Sequence, residues 1–227
     1  MTYTKAQIEH ILREQDFEYH RVELPFGLYT PGTDRSSTRD LIFPESLSGK
    51  TVLDVGCALG YFCFEAEARG AARVVGIEVK EQRFRQALLL KEIKGSQVEL
   101  LQRDILHNPI DEYFDYVCLL NVIHHLHEPI RILRQLAAIT CERLIIEFPT
   151  FTDRKFKHAT GLAFSFWYNR LPLIGVSSRA QADQTFIFTP SAIKRILLEH
   201  ECLFEKIDIL RSPISERAIA ICYKSTN

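Results

Sequence analysis

The chain has 227 residues, of which 46% are apolar and 25% charged, with a formal net charge of -1 at pH 7. That suits one ordinary globular domain and falls short of two comfortable cores. Near-zero net charge gives no global attraction to a polyanion. It therefore favours a small-molecule partner over tRNA, although a local basic patch stays open.

Residues 1–16 are polar and lack the apolar core of a secretory signal. Within them, Ala6, Ile8, Ile11 and Leu12 predict an amphipathic helix over 4–15 with Thr4 as N-cap. Residues 16–40 read as loop, through Pro25, Gly27, Pro31, Gly32 and the run Ser36-Ser37-Thr38. A regular alternation then starts: strand 51–55, helix 61–68, strand 73–77, helix 81–93, strand 98–102, strand 114–120, helix 130–138 and strand 143–147. Phe84 with Leu88, and Ile130 with Leu133, have the spacing of core-facing helical residues. The run Tyr-Val-Cys-Leu-Leu at 116–120 is that of a parallel strand buried on both faces.

Residues 150–185 interrupt the rhythm with Phe151, Phe156, Phe164, Phe166, Trp167 and Tyr168 beside Lys155, Lys157 and Arg170. The apolar stretch 161–176 is broken by Asn169, Arg170 and Pro172 and is too short to cross a bilayer, so no membrane partner is expected. A helix from Pro190 to about 200 and strands near 203–210 and 218–223 close the chain. Six cysteines form no CxxC pair and several sit in apolar runs, which points to reduced thiols in a cytoplasmic protein. Together the elements predict an α/β fold, a Rossmann-like seven-stranded, mostly parallel sheet with helices on both faces and an antiparallel last strand. Residues 1–48 would form an N-terminal helix and lid, and 49–227 the main domain, with 150–185 as a cap insertion.

The segment Val52-Leu53-Asp54-Val55-Gly56-Cys57-Ala58-Leu59-Gly60 lies where a strand turns into a helix. Gly56 and Gly60 let backbone approach a ligand, and small Ala58 keeps the turn tight. Glu78, ending the next strand, is placed to accept bonds from two ribose hydroxyls. A dinucleotide would want GxGxxG and bare amides against its pyrophosphate. Here the spacing is GxxxG, and Asp54 would repel phosphate while attracting an ammonium group. The sign of that charge favours S-adenosylmethionine (SAM) over NAD.

At this point the chain resembles the class I SAM-dependent methyltransferases. Asp54 to Gly60 is similar to their D-x-G-x-x-x-G motif, with alanine at 58 where glycine is commoner. The resemblance implies that Asp54, Gly56, Cys57, Ala58, Gly60, Glu78, Asp104, Ile105 and Asn121 line the cofactor, with S-adenosylhomocysteine (SAH) as product. The four matching segments, Asp54 to Gly60, Glu78, Arg103-Asp104-Ile105 and Leu120 to Leu126, fall in order within about residues 45–150. Pro25-Phe26-Gly27-Leu28-Tyr29, Leu47-Ser48-Gly49-Lys50 and Phe186-Ile187-Phe188-Thr189-Pro190 further resemble the tRNA wobble-uridine carboxymethyltransferase-like group. The aromatic-His pair of that group is His124-His125 here, and no lysine precedes Pro25-Phe26 as it does there. Arg217 aligns loosely with a late arginine. These departures point to ordinary SAM and a smaller acceptor, modified on oxygen or nitrogen.

His124 and His125 follow a buried strand at the sheet's carboxyl edge, where an imidazole can serve as general base, His124 being the first choice; ordinary packing is the competing reading. Tyr29, Arg35, Glu147, Trp167 and Tyr168 are candidates for the acceptor site. For Glu147 the alternative is a strand terminus, and for the aromatics a homodimer contact. No Cys or acidic partner joins His124 and His127 at metal-ligand spacing, so no metal is expected. Two further readings stay open: a tRNA-modifying (carboxy)methyltransferase, and a non-catalytic SAM-binding protein.

Overall fold

The computed structural model of the chain describes residues 3–151, 170–176 and 186–225. The chain divides into two compact units, Met1–Asp104 and Ile105–Asn227.

In the first unit, α1 (Lys5–Glu14) starts at Thr4, whose hydroxyl accepts from Gln7 N while the Gln7 amide oxygen accepts from Thr4 N. That reciprocal cap satisfies two otherwise orphaned donors. The reading of 16–40 as loop is corrected. A hairpin of β1 (Glu23–Leu24) and β2 (Leu28–Tyr29) occupies part of it, and α2 (Ser36–Ile42) begins inside the serine cluster. The helix starts there because Asp34 Oδ1 accepts from Ser36 N at 2.8 Å, and it buries Thr38 and Ile42. Tertiary burial outweighed the turn-like composition.

Next come β3 (Thr51–Val55), α3 (Tyr61–Ala68), β4 (Arg73–Glu78), α4 (Glu81–Lys94) and β5 (Glu99–Gln102). Strand β4 pairs in parallel with both β3 and β5. Helix α3 buries nearly every apolar residue it has, Tyr61 through Phe64 and Ala66. Helix α4 turns Gln86, Ala87, Leu90 and Ile93 inward. Leu88 is 39% exposed and Phe84 only half-buried, so the expected Phe84–Leu88 core pair is corrected. Gln86 takes a core-facing place by donating its amide to Asp16 O.

The second unit carries β6 (Phe114–Leu120), a 3-10 turn at Ile123–His125, α5 (Pro129–Ile139) and β7 (Thr140–Pro149). Two short strands, β8 (Ile174–Val176) and β9 (Phe186–Phe188), form an antiparallel pair. Helix α6 (Pro190–Lys194) widens into a π-helical turn, Arg195–His200, before β10 (Lys206–Arg211) and β11 (Arg217–Tyr223). Val117, Cys118 and Leu119 of β6 and Leu144 to Ile146 of β7 are fully buried, as the apolar run required. The strands form one seven-stranded sheet in the order β10, β11, β7, β6, β3, β4, β5. Strand β11 runs antiparallel to β7 and β10, so the last strand is antiparallel as expected. Among the described residues no helix is long and apolar enough to cross a membrane.

Candidate functional site

Strand β3 ends where Gly56 takes φ +79°, a value glycine reaches without steric cost. The chain then folds back on the end of β4. Gly56 N and Cys57 N both donate to Ile77 O, at 2.8 and 2.9 Å, and Gly60 N donates to Cys57 O at 2.8 Å. Ala58, at φ +50°, donates its amide to Glu78 Oε2 at 3.0 Å. Left-handed backbone costs a non-glycine residue about 1 kcal/mol, offset here by that charge-assisted bond. These four amides are consumed inside the fold, so they are not on offer to a pyrophosphate.

Glu78 is buried, and its second oxygen accepts from Lys80 N at 2.8 Å. Each carboxylate oxygen retains a lone-pair direction for an outside donor, the arrangement that suits a vicinal diol. Asp54 is 2% exposed, and among the described residues it receives one hydrogen bond, from Cys63 Sγ at 3.7 Å. Burial pushes its carboxyl up to about 7; Glu78's charge adds to that rise, while Cys63 and Arg35 oppose it. Beneath the turn, Gly76 leaves room for two thiols. A Cβ there would lie 2.7 Å from Cys63 Sγ, 2.9 Å from Leu100 Cδ2 and 3.0 Å from Cys57 Sγ. Cys57 gains from a bond with Cys63, yet burial and the charges of Asp54 and Glu78 raise its pKa on balance, keeping the thiol protonated.

The N-terminal segment packs on the start of α3. The His20 ring lies 5.9 Å from Tyr61 and 6.0 Å from Phe62, and the Arg35 guanidinium sits 5.3 Å over Phe62. Tyr29 lies apart from these on the hairpin, under the Arg21 guanidinium at 4.2 Å. Asp104 is half-buried after β5, followed by buried Ile105.

The second unit holds a polar network at the carboxyl end of β6. Asn121 stands at φ +61° and donates its side-chain amide to Glu147 Oε2. Ser212 Oγ donates to the other oxygen, Oε1, at 2.5 Å, and Arg217 Nη1 donates to Asn121 Oδ1. Glu147 is 0% exposed, so its carboxyl oxygens are satisfied by protein donors rather than by water. His124 is buried in the following 3-10 turn; His125 is exposed, with the two rings 4.1 Å apart.

The model of the "Methyltransferase domain" family matches residues 33–201, well over half of the chain. The chain belongs to this family, within the class I, SAM-dependent methyltransferases. The methyltransferase is 37% identical over 90 residues to a tRNA U34 carboxymethyltransferase of Desulfotalea psychrophila, covering 39% of this chain and 28% of that protein. A second enzyme of that name, from Saccharophagus degradans, is 31% identical over 166 residues, covering 63% and 49%. The alignments thus span from about a quarter to a half of those curated relatives' length. Among solved structures, the N-terminal domain of EvdMO1, crystallised in the presence of SAH and D-fucose, superposes with TM-score 0.70 at 16% identity, over 99% of this chain and 98% of that one. At that identity the likeness shows the shared fold alone.

The methyltransferase therefore gathers Asp54, Gly56, Cys57, Ala58, Gly60 and Glu78 at one turn, with Arg35 beside them, all within its first unit. Asn121 and Glu147 meet in the second, where His124 and His125 follow on the same loop. Trp167 and Tyr168 lie outside the described residues, as does most of the expected cap. Three residues escaped the motif reading: His20, Cys63 and Ser212. None sits in a recognisable pattern, and Cys63 alone left a signal, as a polarisable residue one helical turn past Gly60.

Proposed function

We propose that this methyltransferase moves a methyl group from SAM to an oxygen or nitrogen of a small-molecule acceptor, leaving SAH. The observation that carries this reading is the turn at 56–60, whose amides serve Ile77, Cys57 and Glu78 while the buried carboxylates of Asp54 and Glu78 stand beside it. Two acids and few unused amides suit an ammonium group and a ribose diol, and disfavour a phosphate. When bound, SAM supplies a methyl group activated by a sulfonium. Asp54 would hold the ammonium, Glu78 the ribose hydroxyls, and Asp104 and Ile105 the adenine end.

Little else is asked of the protein beyond alignment, exclusion of water and one proton transfer from the acceptor. Of the two histidines, exposed His125 is the one an acceptor can reach, with His124 packed against it. Asn121, held by Glu147, would shape the acceptor end together with Arg217. Residues 1–48 would act as lid, and 150–185 as the acceptor cap.

A second reading is favoured by one specific finding, the names of the relatives. On it, the acceptor is a wobble nucleoside in tRNA, and the donor SAM or carboxy-SAM. Net charge of -1 weighs against it, since nucleic-acid affinity rests on cationic contacts with phosphate. Titration calorimetry with SAM, SAH, carboxy-SAM and NADH separates the cases. Micromolar binding of SAM and SAH alone supports the first reading and directs an acceptor screen to small molecules. Preference for carboxy-SAM moves the assignment to tRNA, and NADH binding alone overturns both.

A further inference from the structure

Cys63 is the third residue of α3 and is fully buried. Its Sγ donates to Asp54 Oδ2 at 3.7 Å, a bond that ties the helix to the acid of β3. The strand register explains why a thiol can stand there. Asp54 pairs with Gly76 of β4, and paired residues of neighbouring strands present the same face of the sheet. Gly76 brings no side chain to that face, and two sulfurs fill the room. A Cβ at 76 would lie 2.7 Å from Cys63 Sγ and 3.0 Å from Cys57 Sγ, closer than real contacts allow. The glycine of β4 thus makes the socket from which Cys63 reaches Asp54.

The titratable and charged groups around Asp54 come from four parts of the first unit. They are Cys63 of α3, Cys57 of the turn, Glu78 of β4 and Arg35 of the N-terminal segment. Burial and Glu78 disfavour the ionised acid, while Cys63 and Arg35 favour it. Of the two that favour it, Cys63 stands in hydrogen-bond contact. A carboxyl that keeps its proton has no charge to offer an ammonium group. A side chain that stabilises the ionised acid therefore serves a cationic ligand without touching it. A thiol is a weak donor, so it favours the charge without cancelling it.

We propose that Cys63 is a positioning residue for the cofactor: through its bond to Asp54 it holds the carboxylate ionised for the ammonium group. This rests on the cofactor reading above and extends it to a residue outside the motif.

The test is SAH calorimetry as a function of pH. Asp54 titrates near 7 in the fold, so wild-type affinity should rise as pH climbs through 7 and then level off. In Cys63→Ala the ionised acid loses a donor, and the midpoint of that rise should move up. At about pH 6 the variant should bind SAH about threefold more weakly than wild type. At about pH 8.5 the two should agree, because the acid is then ionised both free and bound and the donor's contribution cancels. A merely structural role would instead weaken binding by one factor at every pH. Cys63→Ser keeps a donor and should return most of the wild-type profile. Infrared spectroscopy reads the same contact should the alanine variant fail to fold. The S–H stretch that disappears in Cys63→Ser should fall in frequency as the wild type is titrated upward through pH 7. A flat wild-type profile, a pH-independent loss in Cys63→Ala, equal displacement by serine and alanine, or an S–H band that ignores the titration overturns the role of Cys63 and leaves the cofactor reading standing. No SAH binding by wild type at any pH overturns both.

Discussion

The two units each bury a carboxylate at the carboxyl end of a parallel strand, and treat it in opposite ways. Glu147, in the second unit, receives Asn121 on one oxygen and Ser212 on the other, and Asn121 is itself braced by Arg217. Asp54, in the first, receives among the described residues a single thiol at 3.7 Å, and burial raises its pKa to about 7. A buried charge that the fold has fully supplied with donors is scaffold: its worth lies in what it positions. A buried charge left with one weak donor among the described residues is destabilising, and on the proposed reading the ammonium group of the cofactor would offset it.

The largest effect that would sharpen this contrast is on ligand affinity. Asp54→Ala should weaken SAH binding by about a hundredfold or more, near 3 kcal/mol, while leaving the unfolding midpoint of the ligand-free chain near pH 7 no lower than that of wild type. Calorimetry beside a urea titration reads both, and unaltered SAH affinity would remove Asp54 from the site. The reverse is expected of Glu147→Ala. Stripping the acid leaves Asn121 and Ser212 with unmet donors in a dry interior, at about 2–4 kcal/mol of stability by urea denaturation. Glu147→Gln, able to serve both partners by turning its amide, should cost about half of that. Similar stability for wild type and Glu147→Ala would mean the network carries no load.

A smaller effect, of pH, follows from the raised carboxyl. In the unfolded chain Asp54 titrates near its ordinary 3.8, in the fold near 7. Between these values the folded state binds more protons than the unfolded, so this group's contribution falls as pH rises through the window. Relative to Asp54→Asn, the ligand-free wild type should lose on the order of 1–3 kcal/mol between pH 4 and pH 8. Parallel dependence of the two proteins on pH would show that the acid is already ionised in the fold. The smallest change concerns the turn itself. Gly60→Ala adds a Cβ at φ +81°, 3.1 Å from the Phe64 ring, and should cost about 1–2 kcal/mol in thermal unfolding. No loss would mean that the turn relaxes to a right-handed conformation.

Much of this was legible in the residues. The apolar run at 116–120 declared a buried parallel strand, because a strand covered on both faces leaves no place for alternation. Asp54, Gly56, Gly60 and Glu78 declared the turn, because their spacing follows from local backbone geometry within one βαβ unit. The helix at Ser36–Ile42 was not legible, since its composition is that of a turn and its formation depended on burying Thr38 and Ile42. Nor was the inward placement of Gln86, which the remote carbonyl of Asp16 decided.

Sequence alone therefore determined the fold class, the family and the sign of the charge at the turn, all of which arise from contacts between near neighbours in the chain. The tertiary structure decided which buried acid is well supplied with donors and which is not. Ser212 reaches Glu147 across 65 positions and Arg217 reaches Asn121 across 96. His20, Arg35 and Phe62 meet only once the N-terminal segment lies on α3. The donors that satisfy a buried charge come from wherever the packed chain brings them, and no local pattern in the sequence encodes that.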